Sequence, residues 1–282
     1  MKTKDNLNGK TKADLSRSVE LFRAFRTEQS DPDRFYHLLA NDAISQVATF
    51  LPLEGSLVLD VGGGVGYFTD AFREAGARSV LIEPSLSDLQ ASETGVVSRE
   101  AAGTPHWVAV APGRAVSTGA IVGDGYCLPF ADSAADVCFS SNVLEHVEDP
   151  TAFITEMLRV TKPGGVVYVS FTNWYSPWGG HETTPWHYLG GERAAARYKR
   201  RTGYEPVHRF GESLYAVHIG PLLRWARSSP EIEVLKAAPR YYPSWCDWIV
   251  QVPGLREVAT WNLLLLLRKR SSDGGTVSKR GR

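Results

Sequence analysis

The stretch VLDVGGGVGYFTDAF, residues 58–72, joins an apolar run to an amphipathic one through four glycines, Gly62, Gly63, Gly64 and Gly66. The run Leu57–Val61 reads as a buried strand, and residues 67–75 read as a helix closed by Gly76. A strand that bends through glycines into a helix opens the βα unit of a parallel sheet, where ligands bind beyond the carboxyl ends of the strands. Glycines there let the backbone come close to whatever is bound. A dinucleotide would lay its pyrophosphate on the helix N-terminus through G-x-G-x-x-G. Here Val65, Gly66 and Tyr67 follow Gly64, so a tyrosine fills the third small position. Asp60 also stands two residues before the first glycine. A carboxylate at that point repels a pyrophosphate and suits a cationic ligand.

The neighbouring sequence repeats the same architecture. Residues 33–50 carry Phe35, Leu38, Leu39, Ile44, Val47 and Phe50 at helical spacing, and Pro52 and Gly55 end that pattern. Strands are predicted at 79–84, 119–124, 136–141 and 165–171, with a helix over 150–161 before KPGG. Strands spaced for helical crossovers imply a parallel sheet covered on both faces. Chemically useful residues follow each strand: Asp60 and its glycines, Glu83, Asp124, then Ser141 with Asn142. Beyond Phe171 the composition shifts, and seven of the eight tryptophans lie past residue 173. NWYSPWGGHETTPWHYLGG (173–191) is long, irregular and aromatic, as a loop over a site would be. A helix over 212–227 and two last strands, 231–238 and 260–269, complete the reading, with an aromatic insertion between those strands.

These motifs resemble those of the class I S-adenosylmethionine (SAM)-dependent methyltransferases, in particular the methyltransferase type 11-like group. VLDVGGGVG matches their first motif, with Asp60, Gly62, Gly63, Gly64 and Gly66 in place and Tyr67 and Phe68 opening the helix behind it. SAM carries a sulfonium and an ammonium, so an acid near its methionine end makes chemical sense. The resemblance assigns Glu83 to the two ribose hydroxyls and Pro84 to the adenine ring. It assigns Asp124 to the adenine amino group, with Gly125 and Tyr126 beside it, and Ser141 and Asn142 to the methionine end. It implies an α/β fold with a seven-stranded, mostly parallel sheet, a Rossmann-like form of the methyltransferase fold, with an aromatic-rich substrate cap. The domain would span 33–269, with cap insertions at 173–260, a flexible segment at 1–32 and a disordered basic tail at 270–282.

Methyl transfer is an in-line displacement at the sulfonium carbon, and a hydroxyl acceptor must also lose its proton. His181 leads the candidate bases, ahead of His146, with Glu182 and His187 nearby in the aromatic loop. No metal ligand set is assigned. Some relatives carry E-x-x-E-H after the fourth strand and bind a divalent ion; here Asn142 replaces the first acid. Glu145 and His146 joined by His181 or Glu182 form the metal-assisted alternative. The tryptophan-rich cap suggests a small acceptor with a lipid- or sugar-linked hydroxyl, with Tyr241, Tyr242, Trp245 and Trp248 as a far wall and Arg240 or Arg193 meeting an anionic group. An N-methyltransferase and an NAD(P)-binding oxidoreductase remain as alternatives.

Composition narrows the partners. With 31 basic and 31 acidic residues the formal charge is zero, so no bulk attraction to nucleic acid is expected. Cys127, Cys138 and Cys246 form no CxxC pair, which fits a reducing cytoplasm. The most apolar run, residues 263–267, is far shorter than the about 20 residues a membrane span takes. A cytoplasmic chain is expected, with peripheral membrane contact left open.

Overall fold

The computed structural model describes residues 4–28, 30–84 and 119–271. Those residues form one seven-stranded sheet in the order β3-β2-β1-β4-β5-β7-β6. The strands are β1 (Leu57–Val61), β2 (Arg78–Glu83), β3 (Ala120–Val122), β4 (Ala135–Ser141), β5 (Thr161–Thr172), β6 (Ile232–Pro239) and β7 (Asn262–Lys269). The first five pair in parallel. β7 runs antiparallel to both of its neighbours. The strand order reverses between β1 and β4, and such a switch point opens a crevice at the carboxyl edge.

The run LLLLL in β7 shows why the sheet is buried on both faces. Successive side chains of a strand point to opposite sides. Leu263, Leu265 and Leu267 enter a core with Phe153, Ile154 and Leu223. Leu264 and Leu266 enter the opposite core with Phe72, Phe139 and Tyr168. Helices α1 (Lys4–Arg26), α2 (Pro32–Ala48) and α3 (Tyr67–Glu74) border the second core, and α4 (Pro150–Val160) and α6 (Ile219–Ser228) cover the first. The two prolines that start α2 and α4 follow aspartates that cap them. Asp31 accepts from the Arg34 amide, and Asp149 accepts from those of Thr151 and Ala152.

Three stretches depart from the sequence reading. The N-terminal segment expected to be flexible contains α1, which packs Leu21 and Ala24 into the second core and pairs Arg17 with Asp42 of α2. Over residues 4–14 its sequence carries only Leu7 and Ala13 as apolar residues, so that polar half hid the helix. A helix not expected from the sequence, α5 (Gly191–Thr202), follows the aromatic loop and buries only Gly191 and Ala194. The helix predicted over 212–227 begins later, at Ile219, because Phe210 and Leu214 bridge instead. The variable stretch through 117 and the tail from 272 lie outside the described residues.

The aromatic loop docks on α1. Trp178 sits edge-on to Phe25 at 5.0 Å and to Trp261 at 4.8 Å. In the insertion before β7, a 3-10 segment (Ser244–Gln251) and α7 (Leu255–Ala259), Trp245 and Trp248 face solvent rather than forming a wall. Among the described residues no helix is long and apolar enough to cross a membrane.

Candidate active site

A cavity of about 440 Å³ opens at the carboxyl edge of β1, β2, β3 and β4. Gly62, Glu83, Pro84, Asp124, Asn142 and His146 are among its lining residues, with Gly125 and Tyr126 beside them. Residues that follow four different strands, from Gly62 to Asn142, thus meet at the crevice that the strand reversal creates.

The glycine bend is held from behind by acids. Gly64, at φ +56°, donates its amide to Glu83 Oε2 at 2.9 Å, tying the loop after β1 to the end of β2. Asp60 lies fully buried under the bend, where Oδ2 accepts from Thr69 Oγ1 at 2.6 Å and Oδ1 has no partner. Burial drives the Asp60 pKa up to about 7, against the pull of the Thr69 hydrogen bond, and the nearby Glu83 charge adds to the rise. Gly63 is squeezed between that carboxylate and Leu81. A Cβ there would stand 2.4 Å from Asp60 Oδ2 and 2.5 Å from Leu81 Cδ1. Gly63→Ala is therefore expected to cost about 1–3 kcal/mol of folding stability through overpacking, measured by urea denaturation. Unchanged stability would show that the bend can yield.

Not every residue of the motif reaches the cavity. Tyr67 turns away to bond Asp33 and stacks on Tyr36. Phe68 packs on Phe139 in the second core. Ser141 lies behind the cavity, where its hydroxyl and that of Ser170 both receive Arg240 Nη1, at 2.9 and 2.8 Å. Arg240 is fully buried; its Nε and Nη2 have no hydrogen-bond partner, and among the described residues no carboxylate pairs with it. Arg193 is exposed on α5. Tyr242 and Arg240 line a second cavity of about 330 Å³, beside α1, α2 and β6.

A cluster of imidazoles stands at the wall of the first cavity. His146, from the 3-10 turn after β4, and His208, from the loop after α5, both line it. His181, from a 3-10 turn of the aromatic loop, packs its ring 5.1 Å from that of His146 and 4.4 Å from that of His208. His181 has φ +47°, a left-handed conformation that side chains rarely adopt. Burial, reinforced by the other two rings, lowers its pKa to about 3. Glu182 holds His208 through Nδ1 at 2.7 Å; burial raises the Glu182 pKa, but this hydrogen bond outweighs it and leaves the carboxyl below its usual range.

His187 does not join the cluster. It is buried beneath Gly180, with Nε2 against the Trp174 carbonyl at 3.0 Å. Glu145 is also turned inward, where Oε1 accepts the Thr172 amide at 3.0 Å. The sequence reading missed His208, a lone histidine in an irregular loop that carries no motif.

Residues 59–169 match the methyltransferase domain family. An uncharacterized methyltransferase of Mycolicibacterium vanbaalenii is 45% identical over 263 residues, covering 91% of this chain and 96% of the relative. One of Mycobacteroides abscessus is 43% identical over 265 residues, covering 92% and 96%. Among solved structures, the PH0226 protein of Pyrococcus horikoshii superposes with a TM-score of 0.51 at 15% identity, covering 88% of this chain and 98% of that one, a likeness of fold.

Proposed function

Because this chain belongs to the class I SAM-dependent methyltransferases, we propose that it methylates a hydroxyl of a small acceptor, lipid- or sugar-linked, at the histidine wall of its cofactor cavity. Membership makes SAM the cofactor and removes the dinucleotide alternative. In this reading Glu83 accepts from the ribose hydroxyls, since one carboxylate offers enough lone pairs for a vicinal diol and the Gly64 amide together. Asp124 takes the adenine amino group and Pro84 lies against the ring. Asn142 borders the methionine end, with Asp60 buried beneath the glycine bend beside it. Gly125 lets this loop lie directly on the Phe153 ring, which a Cβ there would meet at 2.2 Å.

The observation that carries the acceptor assignment is the imidazole cluster, the polar feature of the cavity wall beside Asn142. Hydroxyl methylation needs proton removal, and a ring that protonates only near pH 3 is a weak base at neutral pH. His181 therefore serves as the buried member of a cluster of imidazoles that orients the acceptor oxygen, rather than as an isolated base. Tyr175, Trp178, Trp186 and Tyr188, exposed on the aromatic loop, offer apolar faces on which a lipid or sugar group packs. The test is methyl transfer from isotope-labelled SAM to panels of hydroxyl, amine and carboxylate acceptors carrying lipid or sugar groups. Ether products support the proposal; labelling confined to amines or carboxylates overturns it.

Asp60 adds a pH signature. In the ligand-free fold it holds a proton that an unfolded chain loses near pH 3.8. It therefore subtracts stability as pH climbs from about 3.8 through about 7. The cationic cofactor favours the ionised form, so its uptake should expel a proton at pH 6 and tighten as pH rises toward about 7, levelling above. Calorimetry in buffers of different ionisation enthalpy measures the released proton. A release that persists in Asp60→Asn would assign it elsewhere.

A further inference from the structure

We propose that His146, His181 and His208 form a three-histidine site for a divalent transition-metal ion of the zinc type, with Glu182 as the outer carboxylate that orients one ligand. One nitrogen from each ring lies within 4.8 Å of the other two. A tetrahedral zinc ion with Zn–N bonds of 2.0–2.1 Å spaces its nitrogens by roughly 3.3 Å, so modest ring rotation closes the set.

The hydrogen bonds select the tautomers that a metal requires. His146 Nδ1 meets the Ser213 carbonyl at 2.7 Å. A carbonyl only accepts, so this nitrogen carries the proton and Nε2 keeps its lone pair. His208 Nδ1 donates in the same way to Glu182 Oε1, which also leaves Nε2 as the ligand. A carboxylate or carbonyl behind each ring is the usual outer support of metal-bound histidine. His181 Nε2 is buried without any partner, although His181 is held at φ +47°, a conformation that the loop maintains at some cost in strain. An ion at the centre would satisfy that nitrogen. The ligands come from the turn after β4, the aromatic loop and the loop after α5, so the ion would also pin the cap to the sheet. Glu145 is not one of the three ligands; its carboxylate is turned inward, where Oε1 accepts the Thr172 amide.

Three protein ligands leave a fourth position for a substrate oxygen. Two of the rings line the cofactor cavity, so that position faces the methyl donor. There the acceptor hydroxyl binds, its proton passes to bulk water, and the oxygen attacks the methyl carbon. The C–S bond breaks with its electron pair on sulfur, yielding the methyl ether and S-adenosylhomocysteine. This use of the ion rests on the hydroxyl-methylation reading; binding of the ion does not.

The test strips the full chain with chelator and titrates it with cobalt(II), read by visible absorption, then with zinc by calorimetry. One equivalent of each, with the strong bands of four-coordinate cobalt, supports the site. His208→Ala should lower zinc affinity at least tenfold, and Glu182→Gln by 10- to 100-fold, with circular dichroism confirming the fold. Should a variant fail to fold, uptake by the unaltered chain decides. No uptake by that chain, or unchanged affinity in folded variants, overturns the site. Metal uptake without ether formation on any acceptor overturns the hydroxyl reading and keeps the site. Full ether formation by the metal-free chain overturns the catalytic use of the ion.

Discussion

His181→Ala should lower methyl transfer by about 100-fold, the loss expected when a group that positions the acceptor oxygen is removed, while cofactor affinity stays within a factor of about three. The split follows from position. His181 touches the other two imidazoles but does not line the cofactor cavity, so its loss disturbs the acceptor side alone. Alanine also leaves His146 and His208 tethered by Ser213 and Glu182, so the rest of the wall keeps its shape. Steady-state rates at saturating SAM, paired with calorimetry, separate the two effects. A variant with unchanged turnover would remove His181 from the chemistry, and one with lost cofactor binding would show that the cap also shapes the cofactor pocket.

Glu83→Ala is expected to have the opposite profile. It removes the acceptor assigned to the ribose hydroxyls and releases the Gly64 amide, which Glu83 Oε2 holds at 2.9 Å. A hydrogen bond to a charged group contributes about 1.5–3 kcal/mol, and water takes over part of what the exposed diol loses, so the net loss for S-adenosylhomocysteine should be that of about one such bond, about 10- to 200-fold weaker binding. Glu83→Gln keeps a carbonyl acceptor for the amide and should recover part of that loss. The binding constant from calorimetry reads both variants. Full affinity in Glu83→Ala would place the ribose elsewhere.

The strand-end part of this cavity was legible because its signals are local. The strand Leu57–Val61, the glycines that follow and the acid ending each neighbouring strand lie in short continuous stretches. A parallel sheet brings such strand ends to one edge whatever the details of the crossovers. The histidine wall is written in contacts across long separations. His146 meets the Ser213 carbonyl 67 residues away, and Glu182 meets His208 across 26. His181 and His187 lie in one short loop, yet one faces the cluster and the other is buried against Trp174. No spacing rule separates them, because the irregular backbone after Gly180 decides which way each ring turns. Helix α5 was hidden for a related reason: a helix that buries only Gly191 and Ala194 shows no apolar stripe. The buried Arg240 was named as a partner for an anionic group. Its two seryl hydrogen bonds and its lack of a carboxylate became visible only in three dimensions.

A crystal structure of the chain with S-adenosylhomocysteine tests the central claim most directly. The ribose should rest on Glu83, the adenine between Pro84 and Asp124, and the exposed side of the sulfur should confront His146, His181 and His208. A ligand seated in that cavity with its sulfur turned away from the three imidazoles, or seated outside the cavity altogether, would contradict it.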